Sequence, residues 1–297
     1  MLKLISAAFA ALAIVGALAL PASGSDPGPV GTDIGTFEAV CSYSHRLADD
    51  PIVSPRSPGA SHKHDFFGAR TTDAFSTHES IRASATSCVR YDTPASDVDH
   101  SAYWAPTLYV NGKPVVATTL GAYYNAGVRY VESVEPFPAN LRMIVGSSAG
   151  GPMEIDGERV WGYLCPGGDS IAATALTAPT CQTRVMDLAL RFPDCWDGVN
   201  LDSPDHKSHM AYSRRETSEP LRTCPPTHPR LVPKLGLTLR YPTKGGPTVK
   251  LASGGISSAH ADFMNGWDQS KLEALVSDCL VADRYCGGGD VPVAGHQ

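Results

Sequence analysis

The chain has no Cys-x-x-Cys, no His-Glu-x-x-His and no Gly-x-x-x-x-Gly-Lys segment. Their absence removes the common zinc-ribbon, zincin-helix and nucleotide-loop readings. Basic clusters are missing too: apart from Arg214-Arg215, Lys and Arg are scattered singly, and the net charge is −6. A nucleic-acid binder carries a basic stripe, so nucleic acid is not expected as a partner. Beyond residue 24 no stretch is long and apolar enough to span a bilayer, and no internal repeat is visible. Long helices are disfavoured as well, because 28 Gly and 24 Pro are spread along the chain and cut it into short segments.

What is present begins with an export signal. Met1 and Lys3 give a charged start, and Leu4 to Leu20 is apolar apart from Ser6. Pro21 and the small residues Ala22-Ser23-Gly24 then supply a cleavage site, so residues 1–24 read as a signal peptide. An uncleaved anchor fits less well, because small residues dilute the hydrophobicity of the run. Residues 25–36 read as a flexible lead-in, and 37–290 as a single secreted domain with no membrane association once the signal is removed. All eight Cys fall in that domain, at 41, 88, 165, 181, 195, 224, 279 and 286. An even count in an exported chain predicts four disulfides, with the pairing left open apart from a clip between the nearby Cys279 and Cys286.

The segments predict a mainly β fold, sandwich- or jelly-roll-like, with a few short helices, a C-terminal helix and long loops, stapled by disulfides. Phe37 to Tyr43 opens it as a strand. The clearest hairpin runs from Tyr103 to Val110, turns at Asn111-Gly112 and returns through Lys113 to Val116. Asn-Gly suits the positive φ angles of a type I′ turn, and Pro106 and Pro114 place the hairpin toward a sheet edge. Further strands are expected at 128–131, 141–145, 160–164, 188–192, 235–241 and 249–252. A helix is expected from Trp267 to about Val281. Asp268 would cap it, and Leu272, Leu275, Val276 and Leu280 would line one face.

Chemistry concentrates where histidine meets carboxylate. Five of the ten His lie in three words: Ser61-His62-Lys63-His64-Asp65, Asp205-His206-Lys207-Ser208-His209, and His260-Ala261-Asp262. Imidazole is the commonest metal ligand and the commonest acid or base near neutral pH. On a strand, His62 and His64 share a face with Asp65 opposite, and His260 and Asp262 likewise share a face. His206 and His209 would share a face on a helical turn, with Ser203 as cap, Pro204 at the first position and Asp202 orienting an imidazole. The bland alternative is that each satisfies local backbone groups.

Ordered words extend along the chain. They include Ser61-His62-Lys63-His64-Asp65-Phe66-Phe67-Gly68, Tyr103-Trp104-Ala105-Pro106, Cys195-Trp196-Asp197-Gly198, Asp205-His206-Lys207-Ser208-His209-Met210 and His260-Ala261-Asp262-Phe263-Met264-Asn265-Gly266-Trp267. Together they resemble a widespread secreted family catalogued only as a domain of unknown function, number nineteen-ninety-six. The resemblance covers roughly residues 55–280. It implies export and, for some members, an attached carbohydrate-binding module, but no activity.

The resulting expectation is an exported hydrolase or lyase acting on extracellular polysaccharide or cell-wall material. Its catalytic set is His62, His64, His206, His209, His260 and Asp262, with a divalent metal on His62, His64, His260 and Asp262. Tyr103, Trp104, Trp196 and Trp267 are the candidate sugar-stacking aromatics. A non-catalytic wall-, carbohydrate- or metal-binding protein is the competing reading.

Overall fold

The computed structural model describes residues 35–89, 98–126, 134–166, 177–215 and 222–286. These fall in one compact unit, Asp33–Gln297. The signal segment and the strand expected at 128–131 lie outside the described residues. Two large sheets dominate. The first runs, in spatial order, Trp161–Leu164, Met186–Arg191, Lys234–Tyr241, Thr119–Asn125, Thr36–Cys41 and Tyr285–Cys286, with Cys88–Val89 also paired to Thr36–Cys41. The second runs Tyr43–Leu47, His64–Gly68, Ala102–Pro106, His260–Met264 and Arg142–Gly146. Neighbours are antiparallel except Thr36–Cys41 beside Tyr285–Cys286.

Alternation explains the first sheet. In Lys234–Tyr241 the buried Leu235, Leu237, Leu239 and Tyr241 point to the core, while Arg240 on the other face pairs with Asp187 of the neighbouring strand. The second sheet contributes Phe67, Tyr103, Ala105, Met143, Val145, Ala261 and Phe263 to the same core. Tyr103 and Tyr124 join the sheets through their hydroxyls, and the Trp267 indole donates to Tyr124.

The second sheet is buried on both faces: all five residues of His64–Gly68 and of His260–Met264 are buried. Its outer face carries a small separate core of Ile52, Phe66, Ala69, Ile81, Ala102, Trp104 and Met264. The 48–60 loop and the short helix His78–Ala83 supply its lid residues Ile52 and Ile81. A polar side chain on this face is therefore sealed against apolar neighbours.

The turn forms as expected, with Asn111 and Gly112 both at positive φ (51° and 74°), but only Leu108–Val110 pairs across it with Lys113–Val115, while Ala102–Pro106 belongs to the second sheet. Lys113–Val115 is an edge strand, but Pro106 ends a strand in the middle of its sheet. It is tolerated there because the pairing with His260–Met264 stops at Trp104, so no ladder bond needs the missing N–H. The late helix is Gln269–Leu275, capped by Asp268, and passes into a π-helical turn, Val276–Val281. Four disulfides form: Cys41–Cys88, Cys165–Cys181, Cys195–Cys224 and Cys279–Cys286. No cysteine is left free. That pattern belongs to folding in an oxidising compartment. Among the described residues, no helix is long and apolar enough to cross a membrane.

Candidate metal centre

His64 opens its strand opposite Pro106, and Asp262 pairs with Trp104 on the other side of the same strand. Continuing that register by two residues sets His260 on the far side of Pro106 from His64. The two imidazoles therefore project from the outer face at one end of the sheet, with a proline between their strands. His62 reaches in from the loop before the strand, where Lys63 is tied down by Thr107 N–H donating to its carbonyl. Gly146, opposite His260, sits at φ +76°, and a Cβ there would lie 2.1 Å from the Ala259 carbonyl oxygen. Only glycine lets the two backbones approach so closely.

The three rings meet at their Nε2 atoms. His62 Nε2 is 3.1 Å, and His64 Nε2 3.5 Å, from His260 Nε2. His64 Nδ1 lies 2.9 Å from the Asp49 carbonyl oxygen, and His260 Nδ1 2.8 Å from that of Ser258. A carbonyl can only accept, so in both rings Nδ1 carries the proton and Nε2 presents a lone pair. Two lone pairs 3.5 Å apart cannot hydrogen-bond to each other. A tetrahedral ion with bonds of about 2.0 Å needs its nitrogens about 3.3 Å apart, and the observed spacings bracket that value. Backbone carbonyls on the outer nitrogens are the usual means of aiming metal-binding histidines.

Burial lowers the pKa of His62. It pushes His64 well below the ordinary imidazole value, helped by the neighbouring His62 and His260 and opposed by the Asp49 carbonyl. His260 falls to about 4, through burial first; the Ser258 carbonyl opposes the fall, and His62 and Lys207 add to it. All three rings are therefore neutral near pH 7, the form that binds a cation.

Asp262 sits beside this group rather than within it. With Asp50 and His64 it forms a second cluster whose ligand atoms lie within 4.8 Å of one another. Both carboxyls are buried, at 1% and 4% exposure. Asp50 accepts from the N–H groups of Ile52 and Val53. Asp262 differs: neither of its oxygens has a hydrogen-bond partner among the described residues. Burial, then the Asp50 charge, drives the Asp262 pKa well up, with Lys207 opposing.

The 202–209 segment is a chain of turns, not the expected helical turn. Asp205 holds it, accepting from Lys207 N, Ser208 N and the Ser203 and Ser208 hydroxyls, which outcompetes helix formation. His206 adopts φ +59° and points Nδ1 at Asp202, 2.9 Å away. The Lys207 charge acts on His260 and Asp262, and its ammonium donates to the Gly146 carbonyl opposite His260, so this segment flanks the cluster. His209 is different: it is buried, with Nε2 on the Arg142 carbonyl and Nδ1 on Ser203, so both nitrogens are engaged in holding the turn. His228 braces the same turn through the Ser208 carbonyl.

Three of the four candidate stacking aromatics, Tyr103, Trp104 and Trp267, are at most 2% exposed and offer no ring face to a sugar. Tyr103 and Trp104 are core residues because their strand is covered on both sides, and Trp267 because its ring packs on Phe37 and Tyr124. Trp196 is half-buried, its indole donating to the Asn200 carbonyl. An open cleft of about 750 Å³ meets the site only at His62, one of its walls with Ser61, Lys63, Tyr109 and Lys250; His64, His260 and Asp262 do not line it. Its lining includes no carboxylate.

Asp50 and Lys207 join the site without having been singled out from the sequence. The adjacent Asp49-Asp50 pair was the available signal. Gly146-Ser147-Ser148-Ala149-Gly150 also has nucleophile-elbow spacing and follows a strand, but a turn rather than a helix comes after it, which rules out the elbow geometry.

In fold and site this is a disulfide-stapled β-sandwich protein with a triple-imidazole cluster at one end of its second sheet. The chain belongs to the DUF1996 family: the family model, described as a domain of unknown function, matches residues 50–267. No curated protein and no solved structure matches it.

Proposed function

We propose that this chain is an exported, metal-dependent hydrolase or lyase acting on extracellular polysaccharide. The observation that carries the reading is the convergence of three neutral Nε2 atoms, two of them aimed by backbone carbonyls. His62, His64 and His260 would hold a divalent ion of zinc type, leaving a further position open. An ion so held acts as a Lewis acid and lowers the pKa of water bound to it. His206, oriented by Asp202, is the proton carrier of the site. The cleft walled by His62 would receive the polymer. Lys63 and Lys250, with no carboxylate opposing them in a chain of net charge −6, favour an acidic glycan over a neutral one. Export is supported by the disulfides and the N-terminal segment, and no nucleic acid or membrane partner is proposed.

The test combines metal analysis of purified protein with assays on a panel of neutral and acidic polysaccharides, following reducing ends and unsaturated products. His62→Ala, His64→Ala and His260→Ala should each abolish zinc retention and turnover while the metal-free melting temperature stays near that of metal-free wild type. Turnover that survives all three substitutions sinks the proposal.

A non-catalytic metal- or glycan-binding role has one observation in its favour, the near-complete burial of His64 and His260. It predicts bound metal and glycan retention with no product from any substrate.

A further inference from the structure

From Asp262 we infer a second cation position, beside the triple-histidine site and held by Asp50 and Asp262. The inference rests on the histidine reading for its neighbour but on separate atoms for itself. Asp262 occupies a central strand, is 1% exposed, and has two carboxylate oxygens without a partner among the described residues. Ionised, such a group is among the costliest arrangements a fold can contain, and even as the neutral acid that burial favours it leaves buried polar atoms without a partner. The nearest groups do not relieve it. Asp50 has the same sign, and Lys207 donates to the Gly146 carbonyl. The indole N–H of Trp104, on the adjoining strand, is directed at Asp50 and not at Asp262.

What the geometry provides is a pair of carboxyls with ligand oxygens within 4.8 Å of each other and of His64. Asp50 is preset for the purpose, because the Ile52 and Val53 N–H groups both bond its Oδ1 and so orient Oδ2. Oxygen donors of this kind select a hard divalent ion such as Mn²⁺, Mg²⁺ or Ca²⁺, unlike the imidazole site. His64 Nε2 has one lone pair, already directed at His62 and His260, so it separates the two positions instead of serving both. Two ions held side by side would resemble in arrangement the two-metal hydrolytic centres. The pair would then neutralise the two buried carboxylates and present two cations to one anionic substrate group.

The experiment is metal counting on the intact protein, loaded with Zn²⁺ and Mn²⁺ together and desalted, for wild type, Asp262→Asn and His62→Ala. Two equivalents are expected in wild type. D262N should keep the zinc and lose the manganese, and H62A should do the reverse. One equivalent that D262N leaves in place overturns the second position and spares the histidine site. One equivalent that D262N removes makes Asp262 a ligand of a single shared ion, and also overturns it. Two equivalents that D262N retains overturn the assignment to Asp262, and no metal at all overturns both sites. If D262N does not fold, wild type loaded with Mn²⁺ alone decides: a spin-coupled paramagnetic spectrum supports adjacent positions, and an isolated-ion spectrum excludes them.

Discussion

The Nδ1 of His206 lies 2.9 Å from Asp202 Oδ1, in a residue whose backbone sits at φ +59°. A non-glycine residue in that region carries strain of about 1–3 kcal/mol, held in place by its surroundings. Here the surroundings are the Asp205 turn and the Arg142–Asp202 ion pair. The arrangement fixes one imidazole tautomer and leaves Nε2 as the nitrogen for proton transfer. His206→Ala should lower kcat by about 10²–10⁴-fold. Asp202→Asn should lower it less and alter the pH–rate profile. A fall in melting temperature without either kinetic change would reduce the pair to a structural role.

Zinc binding should appear as thermal stabilisation. At free metal of 100 Kd, linkage adds about 2.7 kcal/mol to the folded state, and His260→Ala should abolish the shift. Melting curves with and without Zn²⁺ at fixed pH check this. An unchanged shift in H260A would remove His260 from the ligand set.

Gly146→Ala should destabilise the fold by more than about 2 kcal/mol. The new methyl would lie 2.1 Å from the Ala259 carbonyl oxygen, in backbone that L-residues avoid. The same displacement would shift His260, so zinc affinity should fall with stability. Urea denaturation read alongside zinc titration tests whether the two losses occur together.

Acid should weaken one end of the first sheet, where Glu158 is paired with Lys234 and Arg191. Burial alone would raise the Glu158 pKa, but Lys234 at 2.6 Å and Arg191 at 3.1 Å outweigh it and hold it below the usual value. A carboxyl depressed on folding contributes stability above its unfolded pKa of about 4.3. That contribution is lost as pH falls through the folded value. Stability of wild type should therefore drop below about pH 4 more steeply than that of Glu158→Gln. Parallel acid limbs in the two proteins would dismiss the pair as a pH-linked contributor.

Reversing the cleft charge should act on binding alone. Lys63→Glu with Lys250→Glu is expected to raise KM for an acidic glycan about tenfold or more, with kcat within about twofold, as loss of uniform binding does. Equal effects on a neutral glycan would rule out charge recognition.

Much of this was legible in the residues. Leu235 to Tyr241 alternates cleanly, Asn111-Gly112 can only turn, and Asp268 announces a helix start. The His-x-Asp spacing put His260 and Asp262 on one strand face, whereas His62 meets His64 from the loop before its strand, where a two-residue period does not apply. What spacing could not carry was depth. Nothing local distinguishes Trp104 under a lid from Trp104 on an open surface, because the lid, Ile52 and Ile81, comes from distant segments. For the same reason Asp262 could be placed on the face of His260 but not known to be sealed. The 202–209 misreading is local: Asp205 offers its carboxylate to four donors, and a short side chain that satisfies the backbone itself takes residues away from a helix.

The parallel pairing of Thr36 with Tyr285 brings the first and last strands of the sandwich abreast, with Cys279–Cys286 fastening the second of them. The first and last described strands therefore lie side by side in one sheet. A short bridge joining residue 286 to residue 35, with new termini cut at the Asn111-Gly112 turn, should yield a rewired chain that still assembles the imidazole cluster at the far sheet.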